Sequence, residues 1–424
     1  MHMHGVWASE LSARTVGVAL DRLVAVPVDV GKSTAMAMVV DFARRRLAAP
    51  FEFALDRAGV AGFVARVEQA LPAEVALVRV GVEACGHYHR PLVASGVLPG
   101  DWQLVEENPA WVSAQRRVNG SARTKTDPID LVAIADLLLA GRGYEVVVGD
   151  EPLVELAAWV AHRRRRVEAR SAVKNQLTGQ LDRCFPGLGA ALSSVLGTKV
   201  GRLVAVEFND PARLTALGVA RFRSFAARRD VRVSVTMAER LMAAARNALP
   251  TPDAAVARQV LAADLALLDS LDGQLAQVDA RITALVPATA YAVLTSGPGW
   301  GPMRAAGYGA GVGDPSRWPS HRQVYRAAGL NPSQYESAGR RRDSGISREG
   351  SVPLRRAILE LGVGLWHQDP AARSYAGGLR ERGKPGAIIT CALGRRANKI
   401  AFAMVRDQTL YDPTCWTTKE TDQT

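Results

Sequence analysis

Apolar and polar positions fall into three textures along the chain. The first opens with LVAVPVDVGKS (23–33), an apolar run rich in valine that ends on a carboxylate, Asp29, and then breaks at Gly31; such a run reads as a strand buried on both faces. The GKS turn leads into TAMAMVVD (34–41), so the first two strands are expected to form a hairpin, and a third strand follows at Phe51–Leu55. From Arg57 to Leu71 the residues Val60, Phe63, Val64, Val67 and Leu71 keep helical spacing. ALVRVGVE (76–83) is another valine-rich strand, and it too ends on an acid, Glu83. Gly86 to Ser95 reads as a short helix, and DWQLVEENP (101–109) as a strand closed by Asn-Pro. Three strands, helix, strand, helix, strand is the order of a ribonuclease H-like α/β fold, in which active-site acids stand at adjacent strand ends.

KTDPIDLVAIADLLL (125–139) is a helix with a well-formed start, Asp127 at the N-cap and Pro128 at N1. Asp127 and Asp130 have two readings. They complement the helix dipole, or, three residues apart and so on one helix face, they point together at a metal site. A lone buried carboxylate is costly unless it is paired or bound to a metal. With Asp29 and Glu83 already at strand ends, the metal reading prevails. Four carboxylates are hard oxygen ligands that suit Mg²⁺, or Mn²⁺, and ions so held can serve phosphoryl transfer.

From about Glu151 to Pro287 the texture is alanine- and leucine-rich helix. It holds a basic run, HRRRRVEARSAVK (162–174), with Arg163, Arg164, Arg165 and Arg166 at its head. Such a run is a solvated helix face or a phosphate-contacting arm. Leu268, Leu271, Leu275, Val278, Ile282 and Leu285 alternate spacings of three and four, a coiled-coil seam for dimerisation or a helical hairpin. The third texture starts at SGPGWGP (296–302), either a phosphate-approaching turn ahead of a helix or a plain loop. Residues 331–352 have polar, glycine-rich loop composition, and an apolar-periodic helix runs from Pro353. Ser337 lies just before Gly339 and the triple arginine Arg340, Arg341 and Arg342. Arginines beside a hydroxyl would hold a scissile phosphate and offset its developing charge; the alternative is an ordinary basic loop in which the serine is only a turn residue.

Composition sharpens this picture. The net charge of +12 points to an acidic partner, nucleic acid before an anionic membrane. Residues 321–400 hold 15 Lys and Arg against 6 Asp and Glu, so +9 of the charge sits there. No uncharged apolar run reaches the roughly 18 residues of a spanning helix. Cys85, Cys184, Cys391 and Cys415 lie far apart without a CxxC pair, which favours neither a disulfide framework nor a zinc site and suits the reducing cytoplasm.

The motifs VDVGKS, GVEACGHYHRPL, ENP, KTDPIDLVAIADLL, the arginine-rich middle, SGPGWGP, YRAAGLNPS and SGISREGSVPLRRAI, taken in order from Val24 to Met404, resemble the DEDD-type insertion-sequence transposases, recombinases guided by a bridge RNA. The resemblance implies a flexible extension (1–22), a RuvC-like catalytic domain (23–150), a helical coiled-coil region (151–290), a mostly α C-terminal transposase domain (291–408) and a tail (409–424). It implies Asp29, Glu83, Asp127 and Asp130 as metal-binding acids and Ser337 as the nucleophile that makes a covalent phosphoserine link, with Ser344 as runner-up. Its implied partners are donor and target DNA, a structured bridge RNA, and further copies of the chain, a dimer assembling to a tetramer near the nucleoid. Arg163 to Arg166, Arg340 to Arg342, Arg348, Arg355 and Arg356 are the expected nucleic-acid contacts. Competing readings are a RuvC-like endonuclease in which water attacks, a phosphotransferase using DVGKST (29–34), and a non-catalytic nucleic-acid-binding protein. A P-loop is excluded, since Val26 stands where its first glycine should be.

Overall fold

The computed structural model describes residues 18–84, 86–120, 126–146, 151–192, 194–337 and 340–416, without the side chains of 334–344 and 415. Cys85 and the expected extension before residue 18 lie outside the described residues. The chain divides into two compact units, 1–148 and 149–424.

The first unit is built on a six-stranded mixed sheet. Its strands are β1 (Leu23–Val30), β2 (Thr34–Asp41), β3 (Arg46–Ala54), β4 (Leu77–Glu83), β5 (Gln103–Glu107) and β6 (Tyr144–Glu145), in the spatial order β3-β2-β1-β4-β5-β6. β1 is antiparallel to β2 and parallel to β4, and β4 is parallel to β5. The expected hairpin is present, closed by the Gly31 amide donating to the Thr34 carbonyl at 2.9 Å. This α/β arrangement is consistent with the ribonuclease H-like expectation.

Alternation along the strands assigns the two faces. Val24, Val26 and Val28 of β1 and Val78, Val80 and Val82 of β4 pack with Phe63 and Val67 of α1 (Arg57–Ala70). Ala25 and Val105 pack with Leu131, Ile134 and Leu138 of α3 (Asp127–Leu139) on the other face. Before α3 runs α2 (Pro109–Val118), which the sequence reading did not anticipate. Asn108, read there as the end of a strand, is its N-cap, accepting from the Ala110 amide at 2.9 Å. The helix expected at 86–95 is instead a series of turns that enters through Gly86 in the left-handed region.

The second unit is helical. Two long helices, α4 (Glu151–Cys184) and α9 (Ala254–Leu285), form an antiparallel pair, as their ion pairs show: Arg163 with Asp279, Arg170 with Asp272 and Arg183 with Asp253. The leucine seam of α9 is buried against its own chain, so a helical hairpin takes up the apolar surface that a dimer seam would need. Between them lie α5 (Leu188–Ala191), α6 (Lys199–Glu207), α7 (Pro211–Ala227, broken at Gly218) and α8 (Val235–Asn247). These close one core with the end of the pair where α4 finishes and α9 begins.

A further core gathers the ends of the pair with α10 (Pro302–Val312), α11 (His321–Ala327), α12 (Val352–Gln368), α13 (Pro370–Glu381) and α14 (Gly386–Asp407). The SGPGWGP turn belongs to this core. A Cβ on Gly299 (φ +71) would lie 2.5 Å from the Gly364 carbonyl oxygen of α12, and Trp300 donates its indole N–H to the Leu361 carbonyl at 2.8 Å. The glycines there permit two backbones to touch. Residues 332–346, expected as loop, form the hairpin β7 (Pro332–Ser337) and β8 (Arg340–Ile346). Among the described residues no helix is long and apolar enough to cross a membrane.

Candidate metal centre and basic surface

In the first unit, strand register decides which acids meet. Val28 of β1 is level with Val82 of β4, so Asp29 stands beside Glu83 one residue on; Glu83 is in turn paired with Glu107 of β5. Parallel neighbours about 4.8 Å apart and in register project their side chains to the same face. Asp29 shares its face with Ala25 and Glu107 shares its face with Val105, the face covered by α3. Three strand-end carboxylates therefore form a row, with Asp29 half-buried and Glu83 and Glu107 buried.

Glu107 was missed by the sequence reading, although its strand ends on an acid as the other two do. QLVEE offers two glutamates, and only register tells them apart. Glu106 turns to the opposite face, where its Oε1 lies 3.2 Å from Nε2 of buried His89. Glu107 is packed so closely that a Cβ on Gly143 (φ +96) would come within 2.7 Å of its Oε1.

The helix pair of acids separates. Thr126, not Asp127, is the N-cap; Asp127 is the first helical residue and is exposed. Asp130 is fully buried and accepts from Nη1 of Arg116 of α2 at 2.5 Å. At the other end of α3, buried Arg79 donates to the Leu138 carbonyl at 3.0 Å, a cation satisfying a helix C-terminus. Every donor in the set is a carboxylate oxygen, the chemistry that Mg²⁺ or Mn²⁺ takes. The side chains are not drawn together, however: among the described residues no group of three or more His, Cys, Asp or Glu is placed to hold a metal ion.

In the second unit Ser337 is the last residue of β7, paired across the hairpin with Arg340, while Arg341 and Arg342 pair with Glu336 and Tyr335. The side chains of Ser337, Arg340 to Arg342 and Ser344 lie outside the described residues. Arg348 is exposed at φ +59; Arg355 supports it, donating to the carbonyls of Arg348 and Ala328, each at 2.8 Å. Arg356 is exposed. In the run on α4, Arg163 is bonded to Asp279 at 2.5 Å and Arg164 lies 3.9 Å from Glu168, whereas Arg165 is exposed.

Known proteins resolve the family. A model of the DEDD transposases of IS110 type matches residues 26–186, and a model described as transposase of the IS116/IS110/IS902 family matches residues 291–376. The chain is an IS110/IS116/IS902-family transposase. The first match covers the strand-end carboxylates and the acids of α3, the second the hairpin bearing Ser337. The transposase is 28% identical to an uncharacterized 43.6 kDa protein of insertion element IS110 from Streptomyces coelicolor, over 68% of this chain and 72% of the relative. It is 27% identical to a 42 kDa protein of insertion element IS900 from Mycobacterium paratuberculosis, over 68% of this chain and 73% of the relative. A 44.8 kDa protein of insertion element IS116 from Streptomyces clavuligerus is 29% identical, over 68% and 73% of the two chains.

Proposed function

We propose that this transposase cuts and rejoins DNA by transesterification, with Ser337 as nucleophile and Mg²⁺ or Mn²⁺ held by Asp29, Glu83, Asp127 and Asp130. The observation that carries the reading is the strand register, which sets Asp29 and Glu83 side by side on the face that α3 and its buried Asp130 cover. When bound, the ion supplies positive charge to a scissile phosphate and to a weakly nucleophilic hydroxyl. Asp130, which accepts from Arg116, would be the ligand contributed by the helix over that face. The serine oxygen gives up its proton and forms a bond to phosphorus as the phosphorus bond to the departing sugar oxygen breaks, and that oxygen takes up the equivalent of the proton released. Rejoining reverses the exchange with a new sugar hydroxyl. Arg340 to Arg342, on the strand facing Ser337, hold the phosphate.

A structured bridge RNA selects donor and target DNA, and copies of the chain assemble as dimers and then a tetramer at the nucleoid. This part of the reading rests on the family resemblance alone.

The test is a recombination assay on donor and target DNA with trapping of covalent intermediates. Ser337→Ala is expected to remove both the protein–DNA adduct and the joined product while DNA binding stays intact, and Asp29→Ala to remove the product likewise. An adduct that survives Ser337→Ala but not Ser344→Ala moves the nucleophile to Ser344. Cleaved DNA with no protein attached makes water the nucleophile.

A further inference from the structure

A cleft of about 1170 Å³ opens in the second unit between α11, α14 and the foot of the β7–β8 hairpin. We propose that it is a binding site for one unpaired nucleic-acid strand, whose phosphodiesters are held by Arg322, Arg348 and Arg395. The proposal rests on the nucleic-acid reading above and adds a site that the sequence did not reveal.

The lining sets the charge of the ligand. Arg322, Arg348, Arg395, Arg396 and His321 line the cleft. Guanidinium groups converging on one cleft select an anionic ligand. The positive field is felt by His321, whose pKa is held below its ordinary value first by burial and then by Lys399, Arg322, Arg395 and Arg406.

The floor excludes a bare anion. Tyr325, Leu330, Ile346, Ile388 and Cys391 give it an apolar surface, which suits sugars and bases between phosphates. The volume exceeds that of a small-molecule pocket, roughly 300–1,000 Å³, and the apolar floor suits the exposed base faces of an unpaired strand better than a duplex, which keeps its bases stacked inside.

The walls are fixed before any ligand arrives. The Tyr325 hydroxyl donates to the Cys391 carbonyl at 3.1 Å, tying α11 to α14. Buried Asn398 donates to the His321 carbonyl at 2.8 Å and accepts from the Tyr308 hydroxyl at 2.9 Å. Arg348 is presented from a left-handed backbone, an uncommon conformation for a non-glycine residue, and Arg355 clamps its carbonyl.

Cys391 is a built-in reporter, because it is a free thiol in the cleft wall, whereas free Cys184 is buried elsewhere. The experiment follows N-ethylmaleimide alkylation of Cys391 in the full chain by peptide mass spectrometry, at mildly alkaline pH. The ligands are a single-stranded oligothymidylate of about twelve nucleotides, an oligouridylate of equal length, and a blunt duplex, with binding of each read by anisotropy. Saturating oligothymidylate is expected to slow alkylation about fivefold or more, and the duplex to leave the rate unchanged. Arg395→Ala should make the slope of log K against log salt shallower by about 0.7.

Equal protection by both single strands supports recognition of the shared backbone. Protection by the uridylate alone also supports the site and assigns it to RNA. Cys391 labelled at an unchanged rate while single strands are bound, or failure of both single strands to bind, overturns the cleft. Duplex binding in the same samples reports on the recombinase reading separately. Should Arg395→Ala not fold, the footprint on the unaltered chain decides.

Discussion

In the unit of residues 1–148 the telling charges are carboxylates buried at strand ends, Glu83 and Glu107 on the sheet and Asp130 on the helix above that face. In the unit of residues 149–424 they are arginines on helix and loop surfaces, many already spent on acids of their own chain. The first arrangement suits chemistry, since a rigid sheet holds each oxygen at a level fixed by register. The second suits binding, since exposed guanidiniums gain affinity by displacing counterions without exact placement. The comparison therefore separates rate from affinity.

The largest expected effect tests that separation. Glu83→Gln keeps the shape of a buried side chain beside Asp29 but removes the charge of a proposed metal ligand. Strand transfer at saturating DNA is expected to fall about 10²-fold or more, equivalent to roughly 2.7 kcal/mol of barrier, with DNA affinity unchanged. Arg348→Ala should do the reverse, weakening binding while the rate from the bound complex holds. Single-turnover kinetics alongside equilibrium binding reads both, and a Glu83→Gln variant that loses affinity but keeps its rate would erase the contrast.

Next in size is the ion pair within the sheet unit. Arg116→Ala removes one guanidinium from buried Asp130, and breaking a buried pair costs at most about 3–5 kcal/mol. Denaturant unfolding should show a loss approaching that range, and added Mn²⁺ should restore part of it if Asp130 is a metal ligand. A loss that Mn²⁺ does not touch would mean that Asp130 is there for α2 alone.

What the sequence disclosed follows from this same contrast. Asp29 and Glu83 were legible because an acid closing a valine-rich, doubly buried strand is anomalous. Glu107 was not, because its five-residue strand is polar enough to hide which glutamate faces inward. Asn108-Pro109 was read correctly as a stop but not as the start of α2, a double use that a local pattern does not reveal. The leucine periodicity of α9 was plain, while its partner, α4 of the same chain, is set by tertiary packing. The hairpin at 332–346 reads as loop in the sequence because its strands alternate little and carry few apolar residues. The arginines of the cleft come from separate segments around 322, 348 and 395, so no window of sequence contains them together.

The smallest effect belongs to the helix pair, where charge contributes only marginal stability. Asp272 accepts from Arg170 at 2.5 Å and from Arg202 at 2.9 Å. Burial alone would raise its pKa; the hydrogen bonds from Arg202 and Arg170 outweigh that and hold it below the ordinary carboxylate value. A depressed folded pKa gives stability that is fully present above the unfolded value, near 3.9, and lost as pH falls through the folded one. All three side chains are about a quarter to a third exposed, so solvent screening limits the network to about 1 kcal/mol. Asp272→Asn should thus cost about that much at neutral pH, less in high salt, and progressively nothing as acid titrates the wild-type carboxylate. Urea unfolding across pH measures it; a deficit that persists at the lowest pH would assign the cost to packing between α4 and α9, and the arginines of the helical unit would then owe nothing of their placement to this acid's charge.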